Sequence, residues 1–203
     1  MAESGGAPPV ARASSPPLPN SKPHAGWRSR GYLPHLDCPD STQHIVFRLA
    51  DALPPGLMTT IVNLPLDQRL DATDKALDAG AGLRRLADPR IAQIVQAALL
   101  RFDAERYRLS AWCVMPTHVH VIVTQMEGWP VSAVVHSWKS FTANAANEVL
   151  GERGRFWAPE YYDRFMRDEA HFAATRVYVE MNPVAAGLCA APHDWPWSSA
   201  APR

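Results

Sequence analysis

Apolar positions along this chain recur with two periods, and the period changes at identifiable breaks. The run Gln43-His44-Ile45-Val46-Phe47-Arg48-Leu49 is short, apolar and β-branched, and Asp51-Ala52-Leu53-Pro54-Pro55-Gly56 follows it; this predicts a strand closed by a turn. Between 57 and 81 the spacing is helical in places, with Leu66, Leu70, Thr73, Leu77 and Ala81 three or four apart. Thr73 is the weak member of that stripe, and Gly80 and Gly82 break it. Asp88-Pro89 is a strong helix start, with Asp as cap and Pro at the first helical position. Ile91, Ile94, Val95, Ala98, Leu99 and Phe102 then mark one face of a helix of about fifteen residues. Strands are predicted over 107–115 and 118–125, separated by Pro116-Thr117. A second helix is expected over 131–150, its apolar side formed by Val134, Val135, Trp138, Phe141, Ala145 and Val149. A short strand over 161–167 follows, and Asp168 caps a third helix running to about 181. Asn182-Pro183 is expected to stop that helix, because a residue before proline is pushed out of helical geometry.

The order β-α-β-β-α-β, then an extra helix, defines an α+β chain of the ferredoxin-like, split βαβ kind. Its sheet is antiparallel, with the first and third strands central, helices on one face and the other face open. The segment 57–86 reads as a helical insertion between the first strand and the first main helix. Residues 1–26 are rich in Pro, Ala and Ser and have little to bury, which predicts a disordered tail. A folded domain is expected over 27–188, with 189–203 a C-terminal tail whose tryptophans pack back on the body.

Composition narrows the class. The chain has 203 residues, 47% of them hydrophobic, enough for one domain with a real core. With 20 basic and 20 acidic residues, net charge gives no global argument for a nucleic-acid partner, so any phosphate contact must come from local placement of arginine. Cys38, Cys113 and Cys189 are too scattered for a zinc knuckle or a disulfide frame, which suits a reducing compartment. No secretory signal and no membrane-length apolar run is present in the sequence, so a cytoplasmic location is expected.

The candidate chemistry lies in Trp112-Cys113-Val114-Met115-Pro116-Thr117-His118-Val119-His120-Val121-Ile122-Val123. On a strand, residues two apart share a face at roughly 6.8 Å, so His118 and His120 point together and Val119 and Val121 point away. Alone, that pattern fits a hydrogen-bonded core pair as well as half of a metal site. On the last helix Tyr178 and Asn182 are four apart and share a face. Two imidazoles and an amide oxygen form a mixed N/O set suited to Mg²⁺ or Mn²⁺ with a phosphate oxygen as a further ligand. A phenol is a poor nucleophile when free, so a nearby cation would be needed to favour the phenolate. An aromatic on a buried helix face remains the plain alternative for Tyr178.

Several motifs occur in one order: the run around His118 and His120, then Trp138-Lys139-Ser140-Phe141-Thr142, Phe156-Trp157 with Tyr162-Asp163-Arg164-Phe165, and Tyr178-Val179-Glu180-Met181-Asn182-Pro183-Val184-Ala185-Ala186-Gly187-Leu188. In this the chain resembles the REP-associated tyrosine transposases, relatives of the insertion sequence 200-like transposases within the HUH single-strand nucleases. The resemblance runs from about residue 31 to the end. It implies that His118 and His120 are the metal pair, that Tyr178 is the nucleophile, and that Asn182 completes the metal site. It implies cutting and joining of single-stranded or hairpin DNA through a 5′-phosphotyrosine link, with Mg²⁺ or Mn²⁺, by a monomer or a homodimer. Tyr161 and Tyr162 are the competing tyrosines and match a structural part of the motif.

Lys139, Arg164 and Arg167 are candidate DNA contacts. For Lys139 a solvated helix charge, and for the arginines ion pairing with Asp163, Asp168 or Glu169, are the competing accounts. Two other functions remain open: a domesticated, non-catalytic protein that binds hairpin repeats, and a water-using metal hydrolase. The latter needs a carboxylate base, and Glu180, two residues from Tyr178, faces elsewhere.

Overall fold

A computed structural model describes residues 26–29, 34–54, 56–79 and 82–202. The expected tail therefore lies outside the described residues except for Gly26, as do 31–33 of the lead-in and Gly80 of the helix break. The lead-in forms a two-stranded antiparallel ribbon, β1 (Gly26–Ser29) and β2 (Pro34–Asp37). It is tied to the main body where His35 Nδ1 lies 2.6 Å from Asp163 Oδ1 and the Leu36 amide donates to the same carboxylate.

The main sheet comprises β3 (Thr42–Leu49), β4 (Tyr107–Val114), β5 (His118–Gln125) and β6 (Trp157–Phe165), in the order β4-β5-β3-β6 with every pairing antiparallel. The first and third of these strands are central, which is the ferredoxin-like order. The insertion forms α1 (Leu57–Val62) and α2 (Leu66–Asp78). The main helices are α3 (Pro89–Leu100), α4 (Val131–Leu150) and α5 (Glu169–Ala185). Asp88 caps α3 by accepting from the Arg90 amide at 2.9 Å, and Asp168 caps α5 by accepting from the His171 amide at 2.7 Å.

One sheet face carries Ile45, Phe47, Val119, Val121 and Val123 and packs under α3 and α4, whose Ile91, Val95, Leu99, Val134, Val135 and Trp138 complete the core. The Trp138 indole donates to the Tyr107 hydroxyl at 3.0 Å, and that hydroxyl donates to the Leu99 carbonyl at 2.7 Å. This forms a polar chain between α4, β4 and α3 in which both of these buried donors are matched.

The other face, open in the plain four-stranded arrangement, is covered here by the added C-terminal helix and by the insertion. Over β4 and β5 lies α5, where Val179 packs on Ala111, Cys113, Met115 and Ile122. Beside it the insertion docks toward β3 and β6: Ile61 and Leu77 join the core with Val46 and Tyr162, and the Tyr162 hydroxyl reaches Met58 Sδ at 3.6 Å. The insertion lies against the chain's own sheet because its apolar stripe must be buried somewhere, and the face beside α5 is where it fits.

The proline in α5 gives a correction. The helix runs through Pro183 to Ala185, and the Ala186 amide donates to the Asn182 carbonyl at 3.0 Å. In the last turn a proline costs few helical bonds, and burial of Val179, Asn182 and Pro183 overrides the local bias.

The C-terminal segment packs back by its backbone as well as its rings. The Val114 amide donates to the Trp197 carbonyl at 2.8 Å, the Ser199 amide to the Trp112 carbonyl at 2.9 Å, and the Trp195 indole to the Val114 carbonyl at 3.0 Å. These bonds cover the outer edge of β4 at Trp112 and Val114, so that half of the edge does not present unpaired strand groups.

Candidate metal and nucleophile site

His118 and His120 leave β5 on the face under α5. The hairpin before them is held by the Met115 amide donating to the His118 carbonyl at 2.9 Å, while Leu49 and Leu86 amides donate to the Thr117 and Pro116 carbonyls. Across the sheet, His120 is paired with Val46 on one side and Cys113 on the other, and His44 sits opposite Ile122, so His44 shares their face.

The three imidazoles form a chain. His118 Nε2 lies 2.9 Å from His120 Nε2, and His120 Nδ1 lies 3.1 Å from His44 Nε2. At the far end His118 Nδ1 is 3.0 Å from Thr117 Oγ1. All three rings are buried. Burial, and then the charge of His44, pushes His118 down to about 3. Burial and the charge of a neighbouring imidazole hold His44 and His120 well below the ordinary histidine range, with Arg164 and His171 adding to the effect on His44. The rings are therefore neutral at physiological pH, which is the form that ligates a metal.

Tyr178 stands over this row. Its ring meets His120 edge-on at 5.8 Å between centroids and 90°, and His44 at 6.1 Å and 77°. Its hydroxyl donates to Asp74 Oδ2 of α2 at 2.8 Å. The residue remains 41% exposed, so it is open to solvent.

Asn182 is one turn further along α5 and only 2% exposed, and its Oδ1 is buried without a hydrogen-bond partner. One turn beyond it, Ala186 shares a cleft with His118, lined also by Ala79, Arg84 and Thr117. Asn182 thus lies on the helix face between the residue that touches His120 and the one that borders His118. An unmatched buried amide oxygen costs stability unless something else satisfies it.

The donor set fits a hard divalent ion. Two imidazole nitrogens 2.9 Å apart match adjacent ligand positions on an ion with ligand distances of about 2.1 Å. Each of the two rings keeps its other nitrogen on a protein partner, Thr117 for His118 and His44 for His120, as ligating histidines require for a fixed tautomer.

Of the candidate DNA contacts, Arg164 pairs with His44 across β3 and β6, beside the site. Arg167 lies past the end of β6, in a shallow pocket with Asp40, Asp168 and Glu169. Lys139, on α4, is not brought to the histidine face. Its ammonium donates to the Ala158 and Pro159 carbonyls at 2.7 and 2.8 Å, and burial pulls it down to about 8.

The competing tyrosines are engaged elsewhere. Tyr161 stacks on His35 at 4.3 Å, and Tyr162 is held against α1 with its phenol pushed up by burial. Glu180 accepts from Arg176 and Ser199, away from the histidines.

His44, Asp74 and Arg84 are the site residues that sequence reasoning missed. His44 had one usable signal: it stands on the predicted first strand at the same parity as Val46 and Arg48. Asp74 had none, because its contact joins residues 104 apart through an insertion.

Residues 84–182 match the profile of the family described as Transposase IS200 like. Over those residues, just under half of the chain, it is similar to the IS200-like transposases. It is also similar to the REP-associated tyrosine transposase of Escherichia coli strain K12, with 25% identity over 108 residues, 53% of this chain and 63% of that protein's length. In fold it is similar to a solved REP-associated tyrosine transposase bound to a REP hairpin, with TM-score 0.55 and 18% identity, covering 81% of this chain and 79% of that one. A crystallised candidate transposase from Deinococcus radiodurans R1 aligns with TM-score 0.41 and 15% identity over 76% of this chain and 96% of its own. No described helix is long and apolar enough to cross a membrane.

Proposed function

We propose that this protein is a metal-dependent tyrosine endonuclease and strand transferase that acts on single-stranded DNA at hairpin-forming repeats. The observation that carries this reading is the meeting of the Tyr178 ring, edge-on at 5.8 Å, with a histidine whose Nε2 lies 2.9 Å from that of His118. His118, His120 and Asn182 would hold Mg²⁺ or Mn²⁺. Bound there, the ion would polarise a phosphate oxygen and stabilise the charge that develops on it.

The chain's own residues account for the rest of the chemistry. Tyr178 Oη attacks the phosphorus of a DNA phosphodiester; a phosphorus–oxygen bond to Tyr178 forms, and the bond to the 3′ oxygen breaks. The phenol gives up its proton and the departing 3′ oxygen takes one up, so the leaving sugar ends as a 3′-hydroxyl and the downstream strand stays on the enzyme as a 5′-phosphotyrosine. The reverse attack by a 3′-hydroxyl rejoins strands without ATP, because the phosphodiester energy is kept in the link. Neutral His118 and His120 can turn a lone pair toward an ion, and burial keeps them from competing for protons. Arg164, opposite His44 in the sheet, and Arg84, in the cleft at His118, would be the nearby cations for DNA phosphates. The hairpin bound by the solved relative supports a hairpin substrate here.

Cleavage of a labelled hairpin oligonucleotide with Mn²⁺ and with a chelator tests the reading. Cleavage with the ion and none without is expected. Binding with no cleavage under any divalent ion would instead make this a non-catalytic hairpin-binding protein.

A further inference from the structure

We propose that Asp74, on the insertion helix α2, is a positioning residue for Tyr178: its carboxylate accepts the phenolic hydrogen and holds the oxygen in place over the histidine row. The inference rests on Tyr178 being the nucleophile, and it gives the insertion a task in the same site.

The geometry supports it at three points. The hydroxyl of Tyr178 lies 2.8 Å from Asp74 Oδ2, a good length for a charge-assisted bond. Asp74 is only 4% exposed, so this is not a surface carboxylate that happens to lie near a phenol. The helix that carries it is fixed: Leu77, one turn on, is 1% exposed in the core, and Thr73 is fully buried with its hydroxyl donating to the Arg69 carbonyl at 2.7 Å.

Tyr178 has the opposite need. It sits on an exposed helix face at 41% exposure, with its ring touched on one edge by His120 and His44. Ring contacts of that kind set the plane of a phenol but leave its swing about the side-chain torsions open. A second anchor at the oxygen removes that freedom, and an attacking atom held within about 3.5 Å of its target gains rate from orientation alone. The anchor comes from an element that docks beside α5 on the same sheet face. The insertion is thereby part of the active site, and its apolar stripe serves to seat Asp74.

The test compares the wild type, Asp74→Asn, Asp74→Leu and Tyr178→Phe with a 3′-labelled hairpin and Mn²⁺. Folding is checked by circular dichroism and hairpin binding by fluorescence anisotropy. The amide oxygen of the Asn variant can still accept the phenolic hydrogen. We expect it to form the covalent adduct within a few-fold of the wild-type rate. Asp74→Leu should bind the hairpin with unchanged affinity and form the adduct at least tenfold more slowly. An Asp74→Leu rate equal to or above that of the wild type would overturn the inference. So would an Asp74→Asn loss as large as that of Asp74→Leu, which would make charge the requirement instead of a positioned acceptor. A wild type that forms no adduct would sink the nucleophile reading itself, a result distinct from any difference among the Asp74 variants. Should Asp74→Leu fail to fold, Asp74→Asn against Asp74→Ser decides the same question, because the serine hydroxyl is too short to reach Tyr178. In that pair, Ser as active as Asn overturns the inference.

Discussion

His44 Nε2 lies 3.1 Å from His120 Nδ1, which leaves the other nitrogen of His120 turned toward His118. A strand residue 76 positions away in sequence thus fixes which nitrogen of His120 faces the candidate metal site. Losing such an outer partner typically weakens metal affinity by about 10–100-fold. Isothermal titration of Mn²⁺ into His44→Ala is expected to show a loss of that size. Unchanged affinity would mean that His120 is oriented by something else.

The buried imidazoles set a pH dependence on the metal-free protein. In the unfolded chain histidine titrates near 6.5. In the fold, His118 titrates at about 3, and His44 and His120 well below 6.5. Above pH 6.5 both states are neutral and the three rings add no slope. Below it the unfolded chain takes up protons that the folded chain refuses, so stability falls as pH falls. The slope reaches about 1.4 kcal/mol per pH unit for each ring, and for His118 it continues down to about pH 3. Urea unfolding in a chelator at pH 7.5 and pH 5 should show markedly lower stability at pH 5. Replacing His118 with Gln should flatten part of that difference.

Lys139 separates a structural from a DNA-binding role. Its two carbonyl acceptors on β6 staple α4 to the sheet. Lys139→Met should lower stability by about 1–3 kcal/mol, because two carbonyls lose a charged donor. It should leave the salt dependence of hairpin binding unchanged. A phosphate contact would instead reduce the salt slope by about one charge.

The C-terminal strap predicts a solubility effect. Ending the chain after Asp194 removes Trp195, Trp197 and Ser199, and with them the cover on β4. The shortened protein should melt at lower temperature and self-associate on size-exclusion chromatography, as an exposed strand edge pairs with copies of itself. A monomeric profile with an unchanged melting point would show that the strap is dispensable.

The parts of this fold that the sequence made legible are those set by local periodicity. The alternation around His118 and His120, the caps at Asp88 and Asp168 and the strand and helix periods define the antiparallel sheet and its central strands. Local rules failed where tertiary contact outweighs them. Pro183 did not end α5, because Val179, Asn182 and Pro183 itself are buried. The insertion gave no sign of chemistry, because Asp74 looks like any solvated helix carboxylate until α2 is laid beside α5. His44 was visible as a strand residue, yet only the strand order β5-β3 brings it to His120. The spacing of Tyr178 and Asn182 was readable on one helix, and so was the expectation that this helix lies across the sheet face bearing His118 and His120, where α5 is found.

The nucleophile is the centre of the account, and one gel addresses it directly. A hairpin oligonucleotide labelled at its 3′ end is incubated with wild type or Tyr178→Phe and Mn²⁺, then run under denaturing conditions. Wild type should carry the label into a band at protein size, because the downstream strand stays on the enzyme through its 5′ phosphate. Tyr178→Phe should bind the hairpin and give no such band. A labelled protein band that persists in Tyr178→Phe would contradict the account and move the nucleophile to another residue.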